Sequence, residues 1–462
     1  CLGNMAAWSK LLTCSCYELG HTWTPSCFEG SYDVGRACFK ESLQIYFTLY
    51  VVTALLRRKK KEYYIKKLIP ETLRSTVYLT TNAFLFLTSF CIWRAFVGHF
   101  YFPTVSYVPA ACAAFVAINL ERKSRRGMLA LYITNLAVET AFRMMVFRNW
   151  FKPLPHGEVL LFSAVAAVYM YLFKKPNGLA DSMANAIRML VGSAELPPAS
   201  DNKNQQNSSS PPKKTKSFYD KLPMSLRFIL REFLHIIHQG PKHKLCRHKH
   251  SCQGYVIEGS LRLFGIGYAI QAAISLIGAL RVVFRKPGAL LDAAFNKNNF
   301  YLGAFLGSFV GVFKAVNCGL RWLRDEDTAL HGLIAGFLAG ASMMFYKSST
   351  ITLYLASKLA EILYFKGIAA GYLPYIKWAD IIIYSISTAF VFHAAVFEPH
   401  NLRPAYWRWL LRITNNKFAL MNRKIIEFYG TKASLLYPDF YPKYDSRYSS
   451  LKYDQLDKFI RG

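Results

Sequence analysis

The residues best suited to chemistry in this 462-residue chain are cysteines and histidines, and they gather in two places. Cys14, Cys16, His21, Cys27 and Cys38 lie together near the N-terminus; His235, His238, His243, Cys246, His248, His250 and Cys252 lie together past the midpoint. Thiolates and imidazoles suit soft and borderline metals, and a structural zinc takes four of them in a tetrahedron. The candidate ligands are Cys14, Cys16, His21 and Cys27 in the first group and His243, Cys246, His248 and Cys252 in the second. Neither group has the paired C-x-x-C spacing of a strong zinc signature. The bland reading is reduced, solvated thiols, with His248 and His250 extending a basic surface. Cys91, Cys112 and Cys318 fall in apolar stretches and read as small hydrophobes. No nucleophile elbow, phosphate-binding loop, His-Glu-x-x-His or dinucleotide fingerprint occurs. The expectation is therefore a non-enzymatic protein, with no cofactor other than zinc in those clusters.

Two further sets stand out inside apolar stretches. Glu139 and Arg143 are four apart, so they share a helix face and can pair. Lys358 and Glu361 are three apart in the same sense. Intramembrane charges point to function or to structural pairing between helices. Gly303, Gly307 and Gly311 recur every fourth position, and Gly332, Gly336 and Gly340 repeat the spacing. Such stripes let two helix backbones approach closely. They can also line a path for a lipid or peptide.

The elements that must position these residues are about ten apolar stretches, in two sets of five. The first set is 43–56, 75–97, 102–120, 127–147 and 157–173; the second is 256–280, 299–320, 332–346, 350–365 and 379–397. Most approach the ~18–20 residues a helix needs to cross hydrocarbon, where backbone polar groups must bond internally. The fold class is all-α, a polytopic helical membrane protein with two related halves. Residues 113–168 lie on 335–390 without a gap, pairing Glu139 with Glu361, Glu158 with Asp380 and Ser163 with Ser385. Repeats of this kind recur in transport folds, with a site at the repeat interface.

Along the chain this gives a Cys-rich region (1–40), a first membrane half (41–176), a basic linker (177–255), a second membrane half (256–398) and a basic aromatic tail (399–462). The linker carries the second Cys/His cluster and an amphipathic helix at 224–237. The tail has the composition of a headgroup-interface segment. The net charge of +30 sits beside apolar spans, which points to the bilayer and its anionic lipids rather than nucleic acid. Basic loops place the linker and residues 57–67 on one side; the second half is then either inverted against the positive-inside rule or contains a re-entrant segment. Oligomeric state is not encoded in any of these patterns.

Several runs resemble the animal transmembrane protein 135 family, also called peroxisomal membrane protein 52. They are Cys16-Tyr17-Glu18-Leu19-Gly20-His21-Thr22-Trp23 with Pro25-Ser26-Cys27, the segment 121–127, and the segments 302–309, 335–347, 353–359 and 384–388. The resemblance covers most of the chain, apart from the linker and the extreme C-terminus. The glycine-spaced helices around Gly303–Gly311 and Gly332–Gly340 are distantly similar to the mitochondrial inner-membrane translocase family. The resemblance implies a multi-pass protein of mitochondrial and peroxisomal membranes, tied to mitochondrial fission and to fatty-acid and lipid metabolism. It implies the fission machinery as a partner and no catalytic residues. The competing reading is a transporter or channel for a lipid-related substrate at the repeat interface.

Overall fold

The computed structural model describes residues 10–196, 237–279 and 288–449. The amphipathic helix expected at 224–237, apart from its last residue, and the Pro/Ser-rich part of the linker lie outside them. Among the described residues the secondary structure is helical, apart from one β-bridge between Leu12 and Phe100. The α-helices are α1 (Cys16–Leu19), α2 (Cys27–Leu56), α3 (Lys61–Lys66), α4 (Leu68–Val97), α5 (Tyr107–Leu120), α6 (Lys123–Phe147), α7 (Gly157–Lys174) and α8 (Asp181–Val191). They continue with α9 (Cys252–Ala279), α10 (Ala289–Ala294), α11 (Asn298–Arg324), α12 (Ala329–Gly340), α13 (Ser349–Ala369), α14 (Ala379–Phe397), α15 (Pro404–Ile413) and α16 (Arg423–Ile426). Each of the ten apolar stretches forms a helix. Six helical segments are long and apolar enough to cross a membrane: 68–97, 123–147, 157–174, 252–279, 290–324 and 379–397. This is a multi-pass helical membrane protein.

The first helix of the first set is longer than its apolar part. It starts at Cys27, where the Ser26 hydroxyl accepts the Glu29 amide at 3.3 Å. Ser26 and Glu29 are an S-x-x-E start signal, and Asp33, Arg36, Lys40 and Glu41 lie within the helix that follows.

The chain forms two compact units. The first comprises residues 1–153 and 374–462, the second residues 154–373. In the first, α2 packs on α4, α4 on α5, and α14 on both α5 and α6. In the second, α9 packs on α11, α11 on α12, and α7 on both α12 and α13. One packing order is thus used twice, but each unit takes its fifth helix from the other set of five. Local geometry repeats too. His156 and Trp378, in register under the gapless pairing, are both left-handed residues (φ 60° and 63°) that open α7 and α14. Gly98 and Asp325 both end their helices in the left-handed region.

The aromatic tail does not form a surface layer. Tyr406, Trp407, Leu410 and Ile413 of α15, with Ile425, Ile426 and Tyr429, are buried in the core of the first unit. These residues recur at three- and four-residue spacing, so one face of α15 is apolar.

The glycine stripes sit at backbone contacts. A Cβ on Gly303 would lie 2.9 Å from the Phe264 carbonyl oxygen, and one on Gly307 would lie 3.0 Å from that of Ser260, both on α9. Against α7, a Cβ on Gly332 would lie 2.6 Å from the Met170 oxygen, and one on Gly340 would lie 2.3 Å from Ser163 Cα. A rigid backbone cannot yield as a flexible side chain can, so the helices would have to separate. Gly340→Ala is expected to cost about 1–3 kcal/mol, as overpacking does elsewhere. Gly127→Ala, with nothing within 4 Å of the added carbon, is the control. Melting in detergent checks this: a lower midpoint for Gly340→Ala, and an unchanged or higher one for Gly127→Ala, are expected.

Candidate metal centres

Each unit carries one Cys3His cluster whose ligand atoms all lie within 4.8 Å of one another: Cys16, His21, Cys27 and Cys91 in the first, Cys246, His248, Cys252 and Cys318 in the second. The construction is the same in both. One Cys and the His come from the segment preceding the first long helix of the unit. The next Cys is the first residue of that helix, Cys27 of α2 or Cys252 of α9. The last comes from the facing long helix, Cys91 of α4 or Cys318 of α11. Either cluster could hold a metal ion such as zinc.

The distances in the second cluster support this. Cys246 Sγ is 3.9 Å from Cys318 Sγ and 3.8 Å from Cys252 Sγ, and His248 Nε2 is 3.7 Å from Cys318 Sγ. With zinc–sulfur bonds of about 2.3 Å, the vertices of a tetrahedron stand about 3.8 Å apart. A disulfide needs about 2.05 Å, and the described cysteines are all unbridged. The histidines are oriented alike. His21 Nδ1 donates to the Thr24 carbonyl at 2.8 Å, and His248 Nδ1 donates to the His250 carbonyl at 2.6 Å. A carbonyl only accepts, so the proton sits on Nδ1 and the Nε2 lone pair is left for the cluster. His21 Nε2 is buried and has no hydrogen-bond partner among the described residues. An orphaned imidazole nitrogen beside three thiols fits a metal ligand.

The electrostatics favour one thiolate in each cluster, at Cys16 and Cys246. A hydrogen bond from Cys91 is the largest influence on Cys16 and, with His21 and Arg94, holds its thiol down to about 5 against burial. Cys246 is held to about 4 by Cys318 first, then Arg321 and His248. An arginine follows Cys91 and Cys318 by three residues. Arg94 clamps the cap of the first unit through the carbonyls of Cys14 (2.9 Å) and Thr13 (3.0 Å). Arg321, 1% exposed, instead pairs with buried Glu195 at 2.8 Å and Asp327 at 3.1 Å. Lys174 joins that network through Asp327 and Asn317, at 2.7 Å each.

Six of the eight ligands expected from spacing converge; Cys14 and His243 do not. Cys14 is buried beside the first cluster, where burial pushes its thiol up. His243 turns to Asp325, 3.2 Å away, and to the Trp322 ring. Their places go to Cys91 and Cys318, which are ligand candidates and not just small hydrophobes. The sequence signal was a repeated C-x-x-R: Cys91–Arg94 and Cys318–Arg321, separated by 227 positions in both cases. Cys38 lies elsewhere, its thiol 3.6 Å from the Leu79 carbonyl.

The charged residues singled out inside apolar stretches are paired. Glu139, 7% exposed, holds Arg143 at 2.7 Å and also Arg403, from the segment leading into α15. Lys358 and Glu361 pair at 2.5 Å on α13, both partly exposed.

The fold and the clusters define a multi-pass helical membrane protein with a Cys3His cap on each of two similarly built units. A family model for the N-terminal cysteine-rich region of Transmembrane protein 135 matches residues 13–146. The matched region contains all four candidate ligands of the first cluster, so over these residues the chain is similar to that family. No solved structure matches the chain.

Arg403 was absent from the sequence reading, and it sets the expected cost of losing Glu139. Glu139→Gln should destabilise by on the order of 1–3 kcal/mol, between the limits for exposed and buried pairs. Adding Arg403→Gln should restore most of the loss. Arg143→Gln alone should cost less than about 1 kcal/mol, since its side chain is 40% exposed. Melting midpoints of the single and double variants in detergent read this out.

Proposed function

We propose that this chain is a non-enzymatic, multi-pass protein of the mitochondrial and peroxisomal membranes that regulates mitochondrial dynamics, fission in particular, and fatty-acid and lipid metabolism. The observation that carries the reading is the family match over residues 13–146. Zinc in each Cys3His cluster would act structurally: four protein ligands leave no open position for substrate, and the ion cross-links the cap to two helices. Cys16 and His21 would fix the cap, Cys27 the start of α2, and Cys91 the facing turn of α4. Cys246, His248, Cys252 and Cys318 would do the same for the second unit.

The second reading is a transporter or channel for a lipid-related substrate. It draws on a cavity of about 150 Å³ in the first unit, lined by Tyr46, Tyr78, Asn82, Tyr384, Trp409 and Phe418 among others. A space of about that volume holds one benzene-sized group, so a whole acyl chain would need a wider opening. Glu139 and Glu361 are engaged in ion pairs, which favours the structural role for them.

Purified protein should carry about two zinc ions per chain, one per four-ligand cluster. Cys91→Ser and Cys318→Ser should each remove one; Cys14→Ser and His243→Ala should remove none. Elemental analysis of the intact chain decides it, and zinc-free protein with an unchanged melting midpoint would rule the metal out. For the cellular role, cells lacking the protein should recover mitochondrial shape and lipid content with the wild-type chain. Uptake of labelled fatty acyl substrates into liposomes by the protein alone would instead favour transport.

A further inference from the structure

Beside the second metal cluster lies a cavity of about 750 Å³, walled by the end of α8, the strap 246–252 and facing turns of α9 and α11. Five lysine or arginine side chains reach it: Arg188, Arg247, Lys249, Arg262 and Lys314. One carboxylate, Glu258, opposes them. Among the described residues none of the five forms an ion pair. The strap alternates ligand and cation, Cys246-Arg247-His248-Lys249, so the residues that pin it to the metal cluster also hold Arg247 and Lys249 at the cavity wall.

Lys314 carries the most weight. It is 6% exposed, and its Nζ stands 3.8 Å from the centre of the Tyr255 ring. Gly259 makes room for it, since a Cβ there would come within 2.2 Å of Nζ. Among the described residues Lys314 forms no hydrogen bond or ion pair. Of the two nearby carboxylates, Glu195 is already bound by Arg321 and Asn317, and Glu258 forms no ion pair with Lys314 among the described residues. An ammonium removed from water without an anion is costly. The side chain is thus held, by a ring and a glycine, in a place that an anion would satisfy.

We infer that this cavity binds the phosphate-bearing headgroup of an anionic membrane lipid. Phosphate chemistry fits several converging cations with few carboxylates. A lipid fits better than a free anion for two reasons. The cavity is far larger than a phosphate and also carries Leu190, Val191 and Leu263 on its wall. It also lies along the first three turns of α9 and, through Lys314, just past the midpoint of α11, both in segments long and apolar enough to cross a membrane, whose ends lie at the headgroups. The inference deepens the proposed role in lipid handling, and it needs the zinc of that reading only to hold the strap in place.

The test uses the full-length protein in detergent, titrated with phosphatidylglycerol, phosphatidylcholine or inorganic phosphate. Melting midpoint and zinc content are read in every sample. Phosphatidylglycerol is expected to raise the midpoint saturably, and the other two to leave it unchanged. Arg262→Gln, at an exposed position, and Lys314→Met should each weaken that response about ten- to hundredfold, the effect of losing one charge-assisted contact, with zinc content unchanged. Arg57→Gln with Arg58→Gln, which removes twice the charge of either single variant from the first unit, should not weaken it. If Lys314→Met fails to fold, Arg262→Gln decides alone. An equal response to inorganic phosphate would make this a free-anion site and overturn the lipid assignment. No saturable response in zinc-loaded wild type, or an undiminished one in Arg262→Gln, would overturn the proposal while leaving the metal centres standing. Zinc-free wild type would instead count against the metal reading.

Discussion

Close approach at glycines governs how each unit is built. Where α9 meets α11, a Cβ on Gly267 would sit 2.8 Å from Gly303 Cα, so neither position tolerates a side chain. That approach sets the separation of the two helices and so the distance between Cys252, at the start of one, and Cys318, near the end of the other. The first unit meets the same demand with aromatic rings. Gly20 lies against Phe90, with 2.5 Å to an added carbon, and Gly35 lies against Phe84 at 3.2 Å. Small residues thus come before the ligand geometry: three thiols and an imidazole converge because the helices that bear them are allowed close.

The two units satisfy Arg94 and Arg321 differently. Arg94 is surrounded by carbonyl oxygens, which orient it without neutralising its charge. Arg321 meets Glu195 and Asp327, with Lys174 as a second cation in the same network. Partial charges from carbonyls suffice where the side chain is partly exposed; at 1% exposure a formal negative charge is needed. The same position in a repeated plan is therefore a clamp on the cap in one unit and the centre of an ion network in the other.

Much of this could be read from residue order. Ten apolar stretches became ten helices; in the six segments long and apolar enough to cross a membrane, hydrocarbon leaves the backbone no alternative. Six of eight candidate ligands converge, all drawn from the segments that lead into α2 and α9 or from the first residue of those helices. Cys91 and Cys318 escaped because a cysteine inside an apolar run has the hydrophobicity of its neighbours, and only its partner across the helix pair gives it another role. Arg403 escaped for a similar reason: its carboxylate lies 264 positions away along the chain. The composition of the tail was plain, but its burial was not, since a basic aromatic helix suits a headgroup layer as well as a protein core. The exchange of fifth helices leaves no mark in local sequence, because α7 and α14 are nearly interchangeable in length and apolar character.

That exchange has a consequence for synthesis. The first unit needs α14, which ends at Phe397, so its first four helices must wait for a strand of polypeptide made more than two hundred residues later. The second unit has its borrowed helix already in hand when α9 emerges, and α13 closes it at Ala369. Vectorial translation thus reverses the order of the units: the one begun first is finished last. Until then α5 and α6 present to lipid, or to an insertion chaperone, the surfaces that will later receive α14.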